Sequence, residues 1–246
     1  MIKGIPMSEG YAIAKALKLV EPSIDYTPKT IDDVAHEIKK LKVAIDRTKS
    51  QLERLKKEAE KKFGAETALI FDAHMMIAED PEVTEQVIEL MKNGKYNLNY
   101  AMKTVVDGFV DIFNQLDDEY LRARALDLKD VSLRIIKNAL GMHIVDLSTI
   151  NEEVILIAED LTPSQTAQID PKYIHGFITE VGGKTSHSAI IARLLGIPAI
   201  AGVKDALKTI EHHQEIIIDG HDGIVLLNPT EQEKHTYQKK IQTLLE

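Results

Sequence analysis

The chain has 246 residues, 44% of them hydrophobic, enough to bury a sizeable core in one large domain or two modest ones. A formal net charge of −9 argues against a general affinity for nucleic acid or for an anionic membrane surface, while leaving room for a basic protein partner. With no cysteine, disulfides, thiolate metal sites and cysteine nucleophiles are excluded too, and a reducing cytoplasm is the expected compartment.

The opening MIKGIPMSEG has no apolar run of the secretory kind, and no stretch approaches the roughly 20 apolar residues of a membrane span. Turn formers Gly4, Pro6 and Gly10 give way to YAIAKALKLV, read as a strand over 11–20. From about Lys29 to Lys62 there is no Gly or Pro, and Ile31, Val34, Ile38, Leu41, Ile45, Thr48, Leu52 and Leu55 recur at steps of three and four. That spacing predicts one long amphipathic helix. Gly64 ends it, and further helical periods follow at about 66–79, 82–93, 98–115 and 118–140. Beyond Asp146 the texture changes to short β-branched runs, VILIAED, YIHGFITE, PAIAG, EIIIDG and GIVLLNP, separated by turns.

The expected architecture combines an α/β class with an all-α class. A discontinuous α/β domain would use 1–21 and 146–230, because a strand at 11–20 needs a sheet and the only sheet lies a hundred residues on. A helical-hairpin domain, 22–145, would be inserted in it. An amphipathic segment at 231–246 reads as a linker helix whose period is still running at Leu245, as expected of a chain that continues in a longer protein.

The densest cluster of unusual residues is Val181-Gly182-Gly183-Lys184-Thr185-Ser186-His187-Ser188, between a strand-like and a helix-like run. Such a junction offers unpaired backbone N–H groups and the positive end of a helix dipole, a setting that favours a phosphoryl dianion. Gly182 and Gly183 allow close backbone approach. His187, in the first helical turn, would be kept neutral and nucleophilic. A nucleotide P-loop is excluded, because that pattern needs Gly at 178, where Ile stands. His212, His213 and His221 fit no zinc spacing and read as turn residues, so no metal site is expected.

Charge suggests a docking face. Residues 63–91 have no Lys or Arg but carry Glu66, Asp72, Glu79, Asp80, Glu82, Glu85 and Glu89; residues 104–121 likewise carry Asp107, Asp111, Asp117, Asp118 and Glu119. Met75, Met76, Ile77 and Val83 would form a dry centre for a basic partner. A solvated helix face fits the same charges equally well.

GGKTSHSAIIARLLGIPAIAG resembles the phosphohistidine signature of Enzyme I, pyruvate phosphate dikinase and phosphoenolpyruvate synthase. DLTPSQTAQ at 160–168, FDAHMMIAEDPE at 71–82 and LDDEYLRARALDLKD at 116–130 resemble Enzyme I of the bacterial sugar phosphotransferase system in particular. The resemblance implies the swivelling phosphohistidine fold and a phosphoenolpyruvate-protein phosphotransferase activity. His187 would take phosphate from phosphoenolpyruvate through Nε2 and pass it to a histidine of the small carrier HPr. Thr166 would bond one ring nitrogen and orient the other, with Gly182, Gly183, Thr185 and Ser186 forming the loop. It also implies that HPr docks on the helical domain at Glu66, His74, Ile77, Asp80, Glu82, Val83, Asp117 and Asp118. A lysine frequent in the family seven residues before His74 is Thr67 here, which removes a cation from that position.

The phosphoenolpyruvate- and Mg²⁺-binding barrel of the family has no counterpart in the sequence. No cofactor is therefore expected in this portion, Mg²⁺ being expected only of the full-length enzyme, and a monomer is expected. The alternative is the phosphohistidine domain of a pyruvate phosphate dikinase or phosphoenolpyruvate synthase. A docking module with a vestigial histidine is a third reading.

Overall fold

A computed structural model describes residues 1–183 and 186–246, in two compact units: Met1–Pro22 with Leu147–Glu246, and Ser23–Asp146. Among the described residues no helix is long and apolar enough to cross a membrane.

The first unit is a mixed eight-stranded sheet. Its strands are β1 (Ile2–Lys3), β2 (Ile5–Ser8), β3 (Tyr11–Leu19), β4 (Val154–Ala158), β5 (Ile174–Thr179), β6 (Ala199–Ala201), β7 (Glu215–Asp219) and β8 (Ile224–Leu227), in the order β1-β8-β7-β3-β4-β5-β6-β2. The strand read at 11–20 is β3. It sits centrally, antiparallel to β7 and parallel to β4, with Leu17 opposite Leu156. β1 and β2 were not expected, since Gly4 and Pro6 read as turn formers. Pro6 is tolerated because β2 is an edge strand, paired only with β6.

β4 is buried at every residue and alternates between two cores. Val154, Leu156 and Ala158 join Phe177, Ala189 and Ala192 on one face; Ile155 and Ile157 join Ile178, Ile216 and Ala206 on the other. A strand covered on both faces reads as a continuous apolar run, which VILIA does. The covering helices are α7 (His187–Leu195) on the first face and α8 (Ala206–Thr209) on the second, while α9 (Glu231–Leu245) lays Tyr237 against Tyr11. The Tyr237 hydroxyl, 2.9 Å from Asp219 Oδ2, is pushed up to about 12 by burial and by that carboxylate.

The second unit is five helices, α1 (Val34–Phe63), α2 (Ala65–Ala78), α3 (Pro81–Gly94), α4 (Leu98–Gln115) and α5 (Glu119–Ala139), around a core including Leu41, Val87, Met91, Val106, Leu128 and Ile135. α1 starts later than the spacing predicts. Lys29 N and Ile31 N donate to Asn97 Oδ1 and Lys95 O, drawing 29–31 into pairing with the α3–α4 turn. Asp33 then caps the helix by accepting from His36 N at 3.0 Å. Phe71, the largest fully buried side chain of α2, should be costly to truncate. Phe71→Ala is expected to lower unfolding free energy by about 3–5 kcal/mol, read by denaturant titration of the chain.

Candidate phosphohistidine site

The site forms at the carboxyl ends of the parallel neighbours β4 and β5, where open α/β sheets generally bind ligands. The chain leaving β5 is tied back to β4: Glu180 N and Val181 N both donate to Glu159 O at 3.1 Å. Thr179 Oγ1 donates to Val181 O at 2.7 Å. Gly182 then takes φ +100°, a conformation that favours glycine and turns the loop toward α7.

Ser186 is the N-cap of α7. Its hydroxyl donates to Gly183 O at 2.7 Å and accepts from Ala189 N at 3.3 Å. His187 is therefore the first helical residue, where backbone amides have no carbonyl partner within the helix. β2 braces the helix from the side, with Ser186 Oγ 3.7 Å from Met7 Sδ and Arg193 Nη1 donating to Met7 O at 2.8 Å. Gly196, in the left-handed region, closes α7. Thr185, with Lys184, lies outside the described residues.

The second wall comes from the segment after β4. α6 (Pro163–Thr166) begins with a capping box in which Thr162 Oγ1 accepts from Gln165 N and Gln165 Oε1 accepts from Thr162 N. That box fixes Thr166, 2% exposed, with its Oγ1 3.2 Å from His187 Nε2. The Thr166 hydroxyl donates its one proton to Pro163 O at 2.9 Å, so it faces the ring with a lone pair and Nε2–H is the donor. The nitrogen implied as the phosphate acceptor is thus the one Thr166 holds. Reaction through Nε2 requires the ring to turn and its proton to sit on Nδ1.

Asp160 was not singled out from the sequence. It lies two residues beyond β4 and accepts from Leu161 N through Oδ1 at 2.9 Å. Burial pushes its carboxyl above the usual range, while the Leu161 N–H and the charge of His187 pull it back down. The acidic residue opening DLTPS was the available signal.

The expected docking residues divide. His74 and Ile77, 1% and 6% exposed, do not lie on the surface, which corrects their assignment as contacts. His74 is packed inside α2 with Nε2 2.8 Å from Asp127 Oδ1, a polar link between α2 and α5. Asp80 caps α3 by accepting from Glu82 N, and Asp118 caps α5 by accepting from Tyr120 N at 2.8 Å. Asp117 pairs with Arg122 at 2.7 Å. Glu66, Glu82, Glu85 and Glu89 are exposed and have no ion-pair partner among the described residues, and Val83 is half-buried beside them. Leu69 and Met76 on α2, Leu116 between α4 and α5, and Tyr120 on α5 are exposed apolar side chains of the same unit, and of these only Met76 was anticipated.

Among the described residues no His, Asp and Glu group converges as a metal site. His212 and His213 instead stack with ring centroids 3.9 Å apart, and His212 Nδ1 accepts from Lys18 N.

Residues 3–124 match the family described as PEP-utilising enzyme, N-terminal, and residues 150–223 match PEP-utilising enzyme, mobile domain. A phosphoenolpyruvate-protein phosphotransferase of Mycoplasma capricolum is 48% identical over 100% of this chain and 43% of that protein. One of Listeria innocua is 42% identical over 97% of this chain and 42% of its own length. The chain thus spans less than half the length of these curated relatives. A solution structure of an Enzyme I protein superposes with a TM-score of 0.89 at 40% identity, covering 100% of both chains. The N-terminal domain of a nitrogen-type Enzyme I superposes with a TM-score of 0.61 at 26% identity, covering 98% of this chain and 100% of that one.

Proposed function

Because the chain belongs to the Enzyme I family of phosphoenolpyruvate-protein phosphotransferases and corresponds to its N-terminal portion, we propose that His187 carries a phosphoryl group between that enzyme's remaining portion and HPr. The observation that carries this reading is the His187 ring at the first position of α7, gripped by Thr166 from α6. A phosphoryl dianion arriving there meets the positive end of α7.

In the transfer, the lone pair of His187 Nε2 bonds phosphorus as the P–N bond to the HPr histidine breaks. That bond's electron pair returns to the HPr ring, and the reverse step passes the group on. The reacting nitrogen uses a lone pair, so it neither gains nor loses a proton in the step itself. The protein's part is positioning and electrostatic stabilisation of the moving group. Phosphoenolpyruvate would be handled by the portion of the relatives beyond this chain. The Mg²⁺ expected of the full-length enzyme has no carboxylate cluster to hold it among the described residues, and no step here is routed through it.

The mobile histidine domain of a dikinase or phosphoenolpyruvate synthase is not favoured. The curated relatives aligned along the whole chain, helical unit included, are phosphoenolpyruvate-protein phosphotransferases. Incubating the chain with phosphorylated HPr and weighing it intact tests the proposal. One acid-labile phosphoryl group per chain is expected, and no mass gain would overturn it.

Glu82 and Glu85 at the start of α3, with the exposed Met76, are the proposed heart of the HPr surface, in a cytoplasmic and monomeric setting. Glu82→Lys with Glu85→Lys should slow association with HPr about tenfold at low ionic strength, with the gap closing as salt is added. Stopped-flow mixing at several salt concentrations reads this, and a salt-independent rate would remove the acidic face from the docking step.

A further inference from the structure

The long helix α1 carries many lysines, and nearly all of them sit three or four residues from a Glu or Asp, the separation at which opposite charges meet on a helix. Lys39 and Arg47 are the exceptions. At those separations Lys39 finds Ala35, His36, Lys42 and Val43, and Arg47 finds Val43, Ala44, Ser50 and Gln51. Neither has an ion-pair partner from another element among the described residues.

Both exceptions fall on the same groove. Lys39, Lys40 and Arg47, with His36 beside them, face the end of α5 at Asn138 and Ala139 across an open space of about 260 Å³. Its floor is Ala44 and Val43, the latter 59% exposed, and no acidic side chain lines it. The acids next to it in the chain are occupied. Glu37 pairs with Lys40 at 3.2 Å and accepts from Leu98 N, while Asp33 caps α1.

The end of α5 does not account for the cations. Its carbonyls at Ile136, Asn138 and Lys137 accept from Leu140 N, Gly141 N and Met142 N, so the last turn is satisfied by the chain itself. The Asn138 amide is spent on Thr48 Oγ1 and Gln51 Oε1, which pins α5 to α1 and holds the two walls of the groove together.

We propose that this groove binds a small organic molecule carrying two phosphate groups, at a site separate from His187. The guanidinium of Arg47 presents the planar fork that takes a phosphate through paired hydrogen bonds, and Lys39 supplies a point charge for the second. These residues are eight positions apart, about 12 Å along the helix axis, so two phosphates joined by a short apolar chain suit both. Val43 and Ala44 lie under such a chain. The volume, just below the usual range of small-molecule clefts, suits a compact ligand.

Calorimetric titration of the chain with hexanediol bisphosphate at low ionic strength tests this, with inorganic phosphate and the dicarboxylate of the same spacer length as comparison ligands. One bisphosphate per chain should bind, about tenfold more tightly than either comparison ligand. Lys39→Gln with Arg47→Gln should weaken it about tenfold, whereas Lys57→Gln with Lys61→Gln, removing equal charge from the far end of α1, should not. All four side chains are exposed, so no core contact is lost. Amide NMR shifts of the parent give a readout that needs no variant, and should move at His36–Arg47 and Ala139. Equal weakening by both pairs, or no saturable binding, would overturn the site. A dicarboxylate bound as tightly would overturn the phosphate assignment. Shifts confined to Ser186–Ala189 would place the phosphate at the start of α7 and overturn the groove as its site.

Discussion

His187→Ala is expected to take up no phosphate from phosphorylated HPr while unfolding within about 0.5 kcal/mol of the parent. The stability change is small because the ring is half-exposed at a helix end and fills no core position. Function is lost entirely because no second imidazole occupies the site. His74 is buried inside the helical unit, and His212 and His213 are stacked on each other against the Lys18 amide. Intact mass after incubation, with denaturant unfolding in parallel, separates loss of the nucleophile from loss of the fold. A phosphorylated alanine variant would move the carrier role to another residue.

Thr166→Val has the next largest expected effect. Valine keeps the volume of this 2% exposed side chain but removes the atom that holds His187 Nε2 and the bond to Pro163 O. Loss of one hydrogen-bonding hydroxyl costs about 1 kcal/mol of stability. The phosphotransfer rate should fall roughly 10- to 100-fold, or about 1.4–2.7 kcal/mol in the barrier, because the ring loses its guide between resting and reacting orientations. Nitrogen NMR of the His187 ring gives a second readout. The parent should rest with its proton on Nε2, and the valine variant should shift toward a mixture of tautomers. An unchanged rate would show that Thr166 does not govern the ring.

What the sequence disclosed depended on whether the determining interaction was local. His187 at the start of α7 was legible because a glycine turn, a capping serine and an apolar helix follow one another in the chain. β3 was legible from composition, and its partners could be inferred because only one sheet was available. The late start of α1 was not, since it depends on Asn97 and Lys95 meeting 29–31 across the fold. Acidic residues carried an ambiguity that only geometry resolves. Asp80 and Asp118 are helix caps, while Glu82 and Glu85 on the same helical unit are left exposed. His74 misled for a related reason, because a histidine on an amphipathic segment gives no sign of whether Asp127 waits for it inside. The choice of ring nitrogen was equally invisible, as it depends on how α6 and α7 converge.

The placement of β3 between β7 and β4 has a consequence for the order in which the molecule comes into being. On a ribosome, Tyr11–Leu19 emerges early, yet its parallel partner begins at Val154 and its antiparallel partner at Glu215. The whole of Ser23–Asp146 is made in between, on the order of ten seconds at ordinary synthesis rates, and its helical contacts are local enough to form in that interval. The first strand therefore waits, apolar and unpaired on both edges, beside a folded helical body. Sheet assembly, and with it the pocket around His187, is the last event, so premature termination between Asp146 and β7 leaves a folded helical unit and no phosphate carrier.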